Sequence, residues 1–128
     1  MEYYFREWLL GIVEDDPLPY GIKYLNFIIT QNKGHFELAL TGSEYPFKLS
    51  ISDLYYPLEA QCFFCEKYFK IRPFGRKKIY DVTKKLILNF FAQQQLCQHF
   101  CPNGRSNFDN LTISLGFRGK KAEFLVKI

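Results

Sequence analysis

The sequence has little of what catalysis usually requires. It contains two histidines, His35 and His99, and neither stands with a serine or cysteine in a nucleophile motif such as G-x-S-x-G. No two glycines are adjacent, and no glycine-rich loop able to surround a phosphate group is present. These absences argue against hydrolytic and phosphate-transfer enzymes, so we expect the protein to be non-enzymatic.

Long apolar runs are also absent. The longest are only a few residues, far short of the roughly 20 that a membrane-spanning helix needs. The N-terminal segment carries Glu2, Arg6 and Glu7 instead of the basic start of a signal peptide. We therefore expect no membrane association and a cytoplasmic location, where thiols stay reduced and disulfides are the least expected role for the four cysteines.

Aromatic residues, in contrast, are unusually frequent. The 14 Phe, 9 Tyr and single Trp make up 19% of the 128 residues. The chain length is near the commonest domain size, and the apolar fraction of 48% is ordinary, so we predict one domain over residues 1–128 with a ring-rich core. Phe, Tyr, Ile, Asn and Lys are also the residues that low-GC microbial genomes favour, so this bias alone indicates no function.

Alternating apolar residues predict two β-hairpins. In residues 23–42 the alternating positions lie on both sides of the turn formers QNKG, and they are Leu25, Phe27, Ile29, Phe36, Leu38 and Leu40. Residues 110–128 show the same pattern around the turn RGK. Residues 3–13, apolar on both faces, are predicted as a further strand, and residues 45–52 as another.

Two segments have helical spacing. In residues 57–69 an apolar stripe of Leu58, Cys62, Cys65 and Phe69 favours a helix, although the aromatic run there also fits a strand. Residues 82–100 are predicted as a second helix with Asp81 as its N-cap. The order β-β-β-(β)-α-α-β-β predicts an α+β domain, with an antiparallel sheet of about five to six strands and two α-helices packed on one face.

Four cysteines in two close pairs are the main candidates for chemistry. Cys62 and Cys65 form one pair, and Cys97 and Cys101 lie on either side of His99. On two facing helices the four thiolates could converge on a structural zinc ion. Free cysteines are nevertheless among the most buried residues, and both pairs fall on apolar stripes, so core thiols without metal are the leading interpretation. Thiol redox chemistry is the weakest of the three, because Cys62 lies beyond the first turn of its predicted helix.

Positive charge is concentrated in the second half of the chain. Residues 1–60 contain 9 acidic and 4 basic residues, whereas residues 61–128 contain 4 acidic and 13 basic ones. Such a concentration is typical of a phosphate-binding surface or, more often, of a solvated loop and helix face. The candidates for nucleic-acid binding lie in residues 67–85 and are Lys70, Arg72, Arg76, Lys77, Lys78, Lys84 and Lys85.

These patterns favour a protein-interaction or assembly module whose partner is another protein or a second copy of the chain. One alternative is a nucleic-acid-binding module that uses residues 67–85, and another is a small structural zinc protein. No cofactor is expected, apart from zinc under that last alternative.

Overall fold

The computed structural model describes residues 2–15, 22–32, 34–43, 62–63, 75–92 and 111–127. These ranges form two helices and five strands. In chain order they are α1 (Glu2–Asp15), β1 (Tyr24–Asn32), β2 (His35–Ser43), β3 (Cys62–Phe63), α2 (Arg76–Ala92), β4 (Thr112–Phe117) and β5 (Glu123–Lys127). The fold class is α+β, as predicted.

The five strands form one mixed sheet in the order β3-β2-β1-β4-β5. β1 runs antiparallel to β2 but parallel to β4, so the prediction of an entirely antiparallel sheet is wrong. Parallel and antiparallel strands share the same two-residue side-chain period, which is why alternation alone does not distinguish them. The two predicted hairpins do belong to one sheet, and β3 at its edge is only two residues long.

The β1–β2 hairpin shows why alternating apolar residues predicted its two strands correctly. Phe27 lies opposite Leu40 and Ile29 lies opposite Leu38, so their side chains share one face of the sheet. At the turn, Gly34 has a φ of 87°, a left-handed conformation that glycine adopts without steric cost. The register therefore places the alternating apolar residues of the hairpin, among them Phe27, Ile29, Leu38 and Leu40, on the same side.

Residues 3–13 are helical, so the predicted strand there is wrong. α1 buries Phe5, Leu9 and Ile12, which are spaced four and three residues apart as on one face of a helix. Trp8 and Leu10 are only partly buried at its sides. Their apolar character made both faces of an assumed strand look buried and hid the 3.6-residue period.

α2 begins earlier than predicted. The amide of Ile79 donates to the carbonyl of Gly75 at 3.1 Å, so the first helical turn starts at Arg76. Asp81 lies inside the helix and is not its N-cap. Leu86 and Phe90 are buried, as predicted; the predicted continuation to residue 100, including Cys97, lies outside the described residues.

The predicted helix over residues 57–69 is wrong where the structure describes it. Cys62 and Phe63 form β3, whose backbone pairs antiparallel with Ala39 and Leu38 of β2. The competing strand interpretation is correct at these two residues. The rest of that segment and the predicted strand over residues 45–52 lie outside the described residues.

Both helices pack on the same face of the sheet. The ring of Phe27 in β1 lies 6.1 Å from Phe5 of α1 and 6.3 Å from Phe91 of α2, measured between ring centroids. Phe90 and Phe91 are themselves in edge-to-face contact at 5.0 Å. The expected ring-rich core therefore lies between the two helices and the central strand.

The opposite face of β1 carries a buried polar group. Side chains alternate along a strand, so Asn26 points away from the helices that Phe27 contacts. The Asn26 side-chain amide donates to Oγ of Ser43 at 3.3 Å, and Oγ of Ser114 donates to Oδ1 of Asn26 at 2.6 Å. All three residues are buried. One asparagine thus joins β2, β1 and β4 across the middle of the sheet.

Candidate functional site

Helices α1 and α2 enclose a groove of about 280 Å³ beside the N-terminal end of α1. Its size is close to the lower end of the range for ligand-binding pockets, roughly 300 Å³. The described residues that line it are Glu2, Tyr3, Phe5, Arg6, Leu86, Asn89 and Phe90.

The floor of the groove is formed by residues of the hydrophobic core. Phe5 comes from the buried stripe of α1, and Leu86 and Phe90 are one turn apart on the buried face of α2. The rings of Phe5 and Phe90 meet edge to face with their centroids 6.1 Å apart. An apolar side chain entering the groove would therefore rest on aromatic and aliphatic carbon.

The rim of the groove is polar. Glu2 and Arg6 are four residues apart on α1, which places them on the same side of the helix. Asn89 of α2 donates its side-chain amide to Oε1 of Glu2 at 3.3 Å. Within the described residues Arg6 takes part in no ion pair, so its guanidinium remains available to a carboxylate from outside.

Two exposed tyrosines flank the groove. Tyr3 is 66% exposed and Tyr4 is 59% exposed, and their rings are in edge-to-face contact with centroids 5.5 Å apart. Tyr3 lines the groove, whereas Tyr4 does not. Tyrosine is enriched in protein interfaces because its ring buries a large area and its hydroxyl still forms hydrogen bonds.

The structure describes five of the seven predicted nucleic-acid-binding residues. Arg76, Lys77, Lys78, Lys84 and Lys85 lie on α2, whereas Lys70 and Arg72 lie outside the described residues. The guanidinium of Arg76 lies 4.2 Å from the ring centroid of Phe117 and donates to Oε1 of Gln31 at 3.3 Å. Lys84 forms an ion pair with Glu123 at 2.6 Å. The side of α2 that carries Arg76 and Lys84 therefore faces the sheet.

Tyr80 strengthens this contact between α2 and the β4–β5 hairpin. Its hydroxyl donates to Oε2 of Glu123 at 2.8 Å, and its ring stacks on Phe117 at 5.8 Å between centroids. Burial, together with the hydrogen bond to Glu123, raises the pKa of Tyr80 to about 12. The hydrogen bonds from Lys84 and then from Tyr80 lower the pKa of Glu123. We call Tyr80, Lys84, Phe117 and Glu123 the α2–hairpin contact.

The zinc candidates are not brought together by anything the structure describes. Cys62 has strand backbone, so the shared helical face assumed for Cys62 and Cys65 is lost at that position. Cys65, Cys97 and Cys101 lie outside the described residues, so the zinc hypothesis stays a prediction. In the described part of the chain, no three His, Cys, Asp or Glu residues are grouped as a metal site would require.

Of the two histidines, the structure describes His35. His35 lies within 3.1 Å of the Glu37 carboxylate on the same strand, between ring Nε2 and Oε1. His99 lies outside the described residues. The His35 side chain is partly buried.

Sequence reasoning missed the groove because it missed α1. The spacing of Phe5, Leu9 and Ile12 was the signal that could have revealed the helix, and a helix there would have placed Glu2 and Arg6 on one side. The proximity of α2 to Phe117 and Glu123 had no signal in the sequence, because those residues lie some 40 positions from their partners.

Comparisons with known proteins assign no family to this fold. No family model matches the chain, and neither a curated protein nor a solved structure matches it. Of the two helices described, neither is long and apolar enough to cross a lipid bilayer.

Proposed function

We propose that this chain is a non-enzymatic, cytoplasmic assembly module that forms a two-fold dimer through the groove between α1 and α2. The observation that carries the proposal is the groove itself, with its apolar floor and the exposed ring of Tyr3 at its edge. In a two-fold dimer each copy presents the same surface to the other, so a surface must complement itself. The occupant of the groove is then the Tyr3 side chain of a second copy.

The charges on the rim satisfy this requirement. When two copies of α1 lie antiparallel and are centred on the segment between Glu2 and Arg6, each Glu2 lies opposite the partner's Arg6. Both ion pairs form at once, because the same contact occurs twice about the two-fold axis. A rim with two carboxylates or two guanidinium groups would repel its own copy, so this arrangement favours self-association.

The same register brings the tyrosine to the partner's groove. Tyr3 of one copy lies level with the partner's Phe5 along the helix axis, and we expect its ring to enter the groove that Phe5 helps to line. A buried aromatic side chain removes about 150–250 Å² of surface from water, which makes it a strong contributor to an interface. Because one helix face and one ring make a small interface, we expect a dissociation constant in the micromolar range, about 1–100 µM.

Charge reversal tests the pairing directly. Glu2→Arg alone and Arg6→Glu alone should each shift the protein to monomer, since each places like charges opposite one another. The double variant with both reversals restores opposite charges and should dimerise again. Sedimentation equilibrium over a concentration series measures the dissociation constant of each protein.

Two tyrosines provide a matched pair for the apolar contact. Tyr3→Ala should weaken the dimer at least about tenfold, as expected for an interface anchor worth more than 1 kcal/mol. Tyr4→Ala removes a similarly exposed ring that does not line the groove, and it should leave the dissociation constant unchanged. A protein that stays monomeric at the highest concentration tested, or equal effects of the two variants, would refute the dimer.

A further inference from the structure

We infer that a second surface, made by the N-terminal turn of α2 and the β4–β5 turn, binds the phosphate backbone of single-stranded nucleic acid. This basic surface consists of exposed cations from two distant parts of the sequence. They are Arg76, Lys77, Arg118, Lys120 and Lys121. The inference goes beyond the proposed dimer and uses none of the groove residues.

The structure brings these cations together through Phe117. The guanidinium of Arg76 lies 4.2 Å from the centroid of that ring, so the start of α2 rests on the end of β4. Arg118 follows directly, and its backbone amide donates to the carbonyl of Ile29 at 2.9 Å. The amide of Lys120 donates to the carbonyl of Phe117 at 2.9 Å, which closes the turn. The basic turn is therefore held beside the basic helix end.

We place Lys77 beside the same turn from its position on α2. It lies seven residues before Lys84, hence on the same side of α2, and Lys84 contacts Glu123 of β5. Two turns nearer the start of the helix, that side faces the β4–β5 turn rather than β5 itself. Lys78 and Lys85 lie on another side of α2 and are not part of the basic surface.

The surface keeps an excess of positive charge: Asp81, four residues after Lys77 on α2, can offset one of its five cations. Glu123, which follows the turn, is already engaged by Lys84 and by Tyr80. Neither ion pair of the described residues involves one of the five cations. The first turn of α2 contains no acidic residue, and its unbonded amides add partial positive charge at the same end of the helix. Polyanions are the ligands that such a field attracts.

The layout of the surface favours a single strand over a duplex. The five cations lie on one helix end and one short turn, and they do not follow the length of an element that could lie along a groove of the duplex. A duplex holds its phosphates in fixed rows, whereas a single strand can bend to bring successive phosphates to both parts of the surface. We therefore expect a flexible oligonucleotide to bind more tightly than a duplex of the same length.

Salt dependence measures the number of phosphate contacts. With a fluorescently labelled 15-nucleotide single strand, fluorescence anisotropy should show binding that weakens as salt rises. The slope of log K against log salt should approach about −3.5, since five contacts each contribute about 0.7 on a single strand. Lys120→Gln with Lys121→Gln should reduce the size of that slope by about 1.4.

Lys23 and Lys127 supply a control with the same change of charge. Lys23 directly precedes β1, and Lys127 pairs with Thr112 at the beginning of β4. Both side chains are exposed at the opposite end of the sheet from the basic surface. Lys23→Gln with Lys127→Gln should leave both affinity and slope unchanged. Thermal melts of the two double variants should match the wild type, because all four side chains are exposed.

Several results would overturn the inference. The first is no binding at about 20 mM salt, where surface electrostatics are strongest. Equal losses in the two double variants would show a response to net charge alone. Tighter binding of the duplex would contradict the single-strand assignment. Displacement by polyglutamate as effective as that by unlabelled oligonucleotide would indicate an acidic protein partner. Because Tyr3→Ala leaves the basic surface intact, it should bind the oligonucleotide as the wild type does, which separates this test from that of the dimer.

Discussion

The hydroxyl of Tyr80 and the carboxylate of Glu123 are 2.8 Å apart and join α2 to β5, although the two residues lie 43 positions apart in the chain. Lys84 reaches the other oxygen of the same carboxylate from one turn further along α2. The α2–hairpin contact is therefore held by groups that titrate at opposite ends of the pH scale. Two predictions concern its response to pH.

The first prediction is that Tyr80 makes the protein sensitive to alkali. The pKa of Tyr80 is raised from 10.0 to about 12, so its contribution to stability is complete below pH 10 and is lost as the pH rises toward 12. Tyr80→Phe keeps the ring on Phe117 but has no proton to lose. Urea denaturation at pH 9 and pH 11 should show a larger loss of unfolding free energy for the wild type. Parallel losses in the two proteins would contradict the assignment.

The second prediction concerns acid. The pKa of Glu123 is lowered in the folded protein from its ordinary value of 4.5, so its contribution is present above that value and is lost as the pH falls through the lowered pKa. Glu123→Gln should reduce the unfolding free energy at pH 7 by about 0.5 kcal/mol, the scale of a half-exposed pair. That difference should disappear at pH 2. Glu7→Gln, an exposed change on α1, serves as the control and should match the wild type at both pH values.

The third prediction concerns the buried polar group of the sheet. Asn26→Leu removes the amide that donates to Ser43 and accepts from Ser114, and it should lower the unfolding free energy by about 2–3 kcal/mol. Ser114→Ala should cost about 1–2 kcal/mol, and Ser43→Ala less, because its hydrogen bond is longer. Urea denaturation gives the three values. A larger effect at Ser43 than at Ser114 would contradict this order.

How much of this fold is predictable from sequence depends on how local the information is. The two hairpins are predictable because alternation, turn residues and pairing all lie within about 20 neighbouring residues, as with Phe27 opposite Leu40. The parallel pairing of β1 with β4 is not, because no local feature of Asn26 indicates that Ser114 will be its neighbour. The start of α2 was also predicted wrongly from local sequence, because Asp81 resembles an N-cap but lies inside the helix.

The two proposed surfaces could also be predicted only in part from local sequence. The chemistry of the basic surface is visible in the sequence, since the charges of Arg76 and Lys77 can be counted. Its extent is not, because Lys120 and Lys121 join it only through the packing of Arg76 on Phe117. The groove was hidden for a different reason: a segment rich in aromatic residues satisfies a strand pattern and a helix pattern at once.

The fourth prediction returns to the four cysteines. We expect Cys62, Cys65, Cys97 and Cys101 to be reduced thiols without metal, so that Cys97→Ala lowers the unfolding free energy by only about 1 kcal/mol. Elemental analysis of the purified protein, combined with thiol titration under native conditions, measures this. Four slowly reacting thiols and no zinc agree with the expectation. One zinc per chain, with unfolding by a chelator, would show that the alternative is right, since a structural zinc supplies much of the folding free energy of its site.

The position of β4 beside β1 also determines the order in which the chain can fold. A tight turn joins β1 to β2, and a hairpin of this kind forms within about 1–10 µs. β4 pairs with β1 only after the chain between Asn32 and Thr112 has brought its two ends together. Closing this longer segment carries a larger entropy cost than closing the hairpin turn. While the protein is being synthesised, one edge of β1 therefore stays unpaired until residues 112–117 have emerged. An unpaired apolar strand can associate with other chains. The centre of the sheet is therefore open to misassembly until β4 has paired with β1.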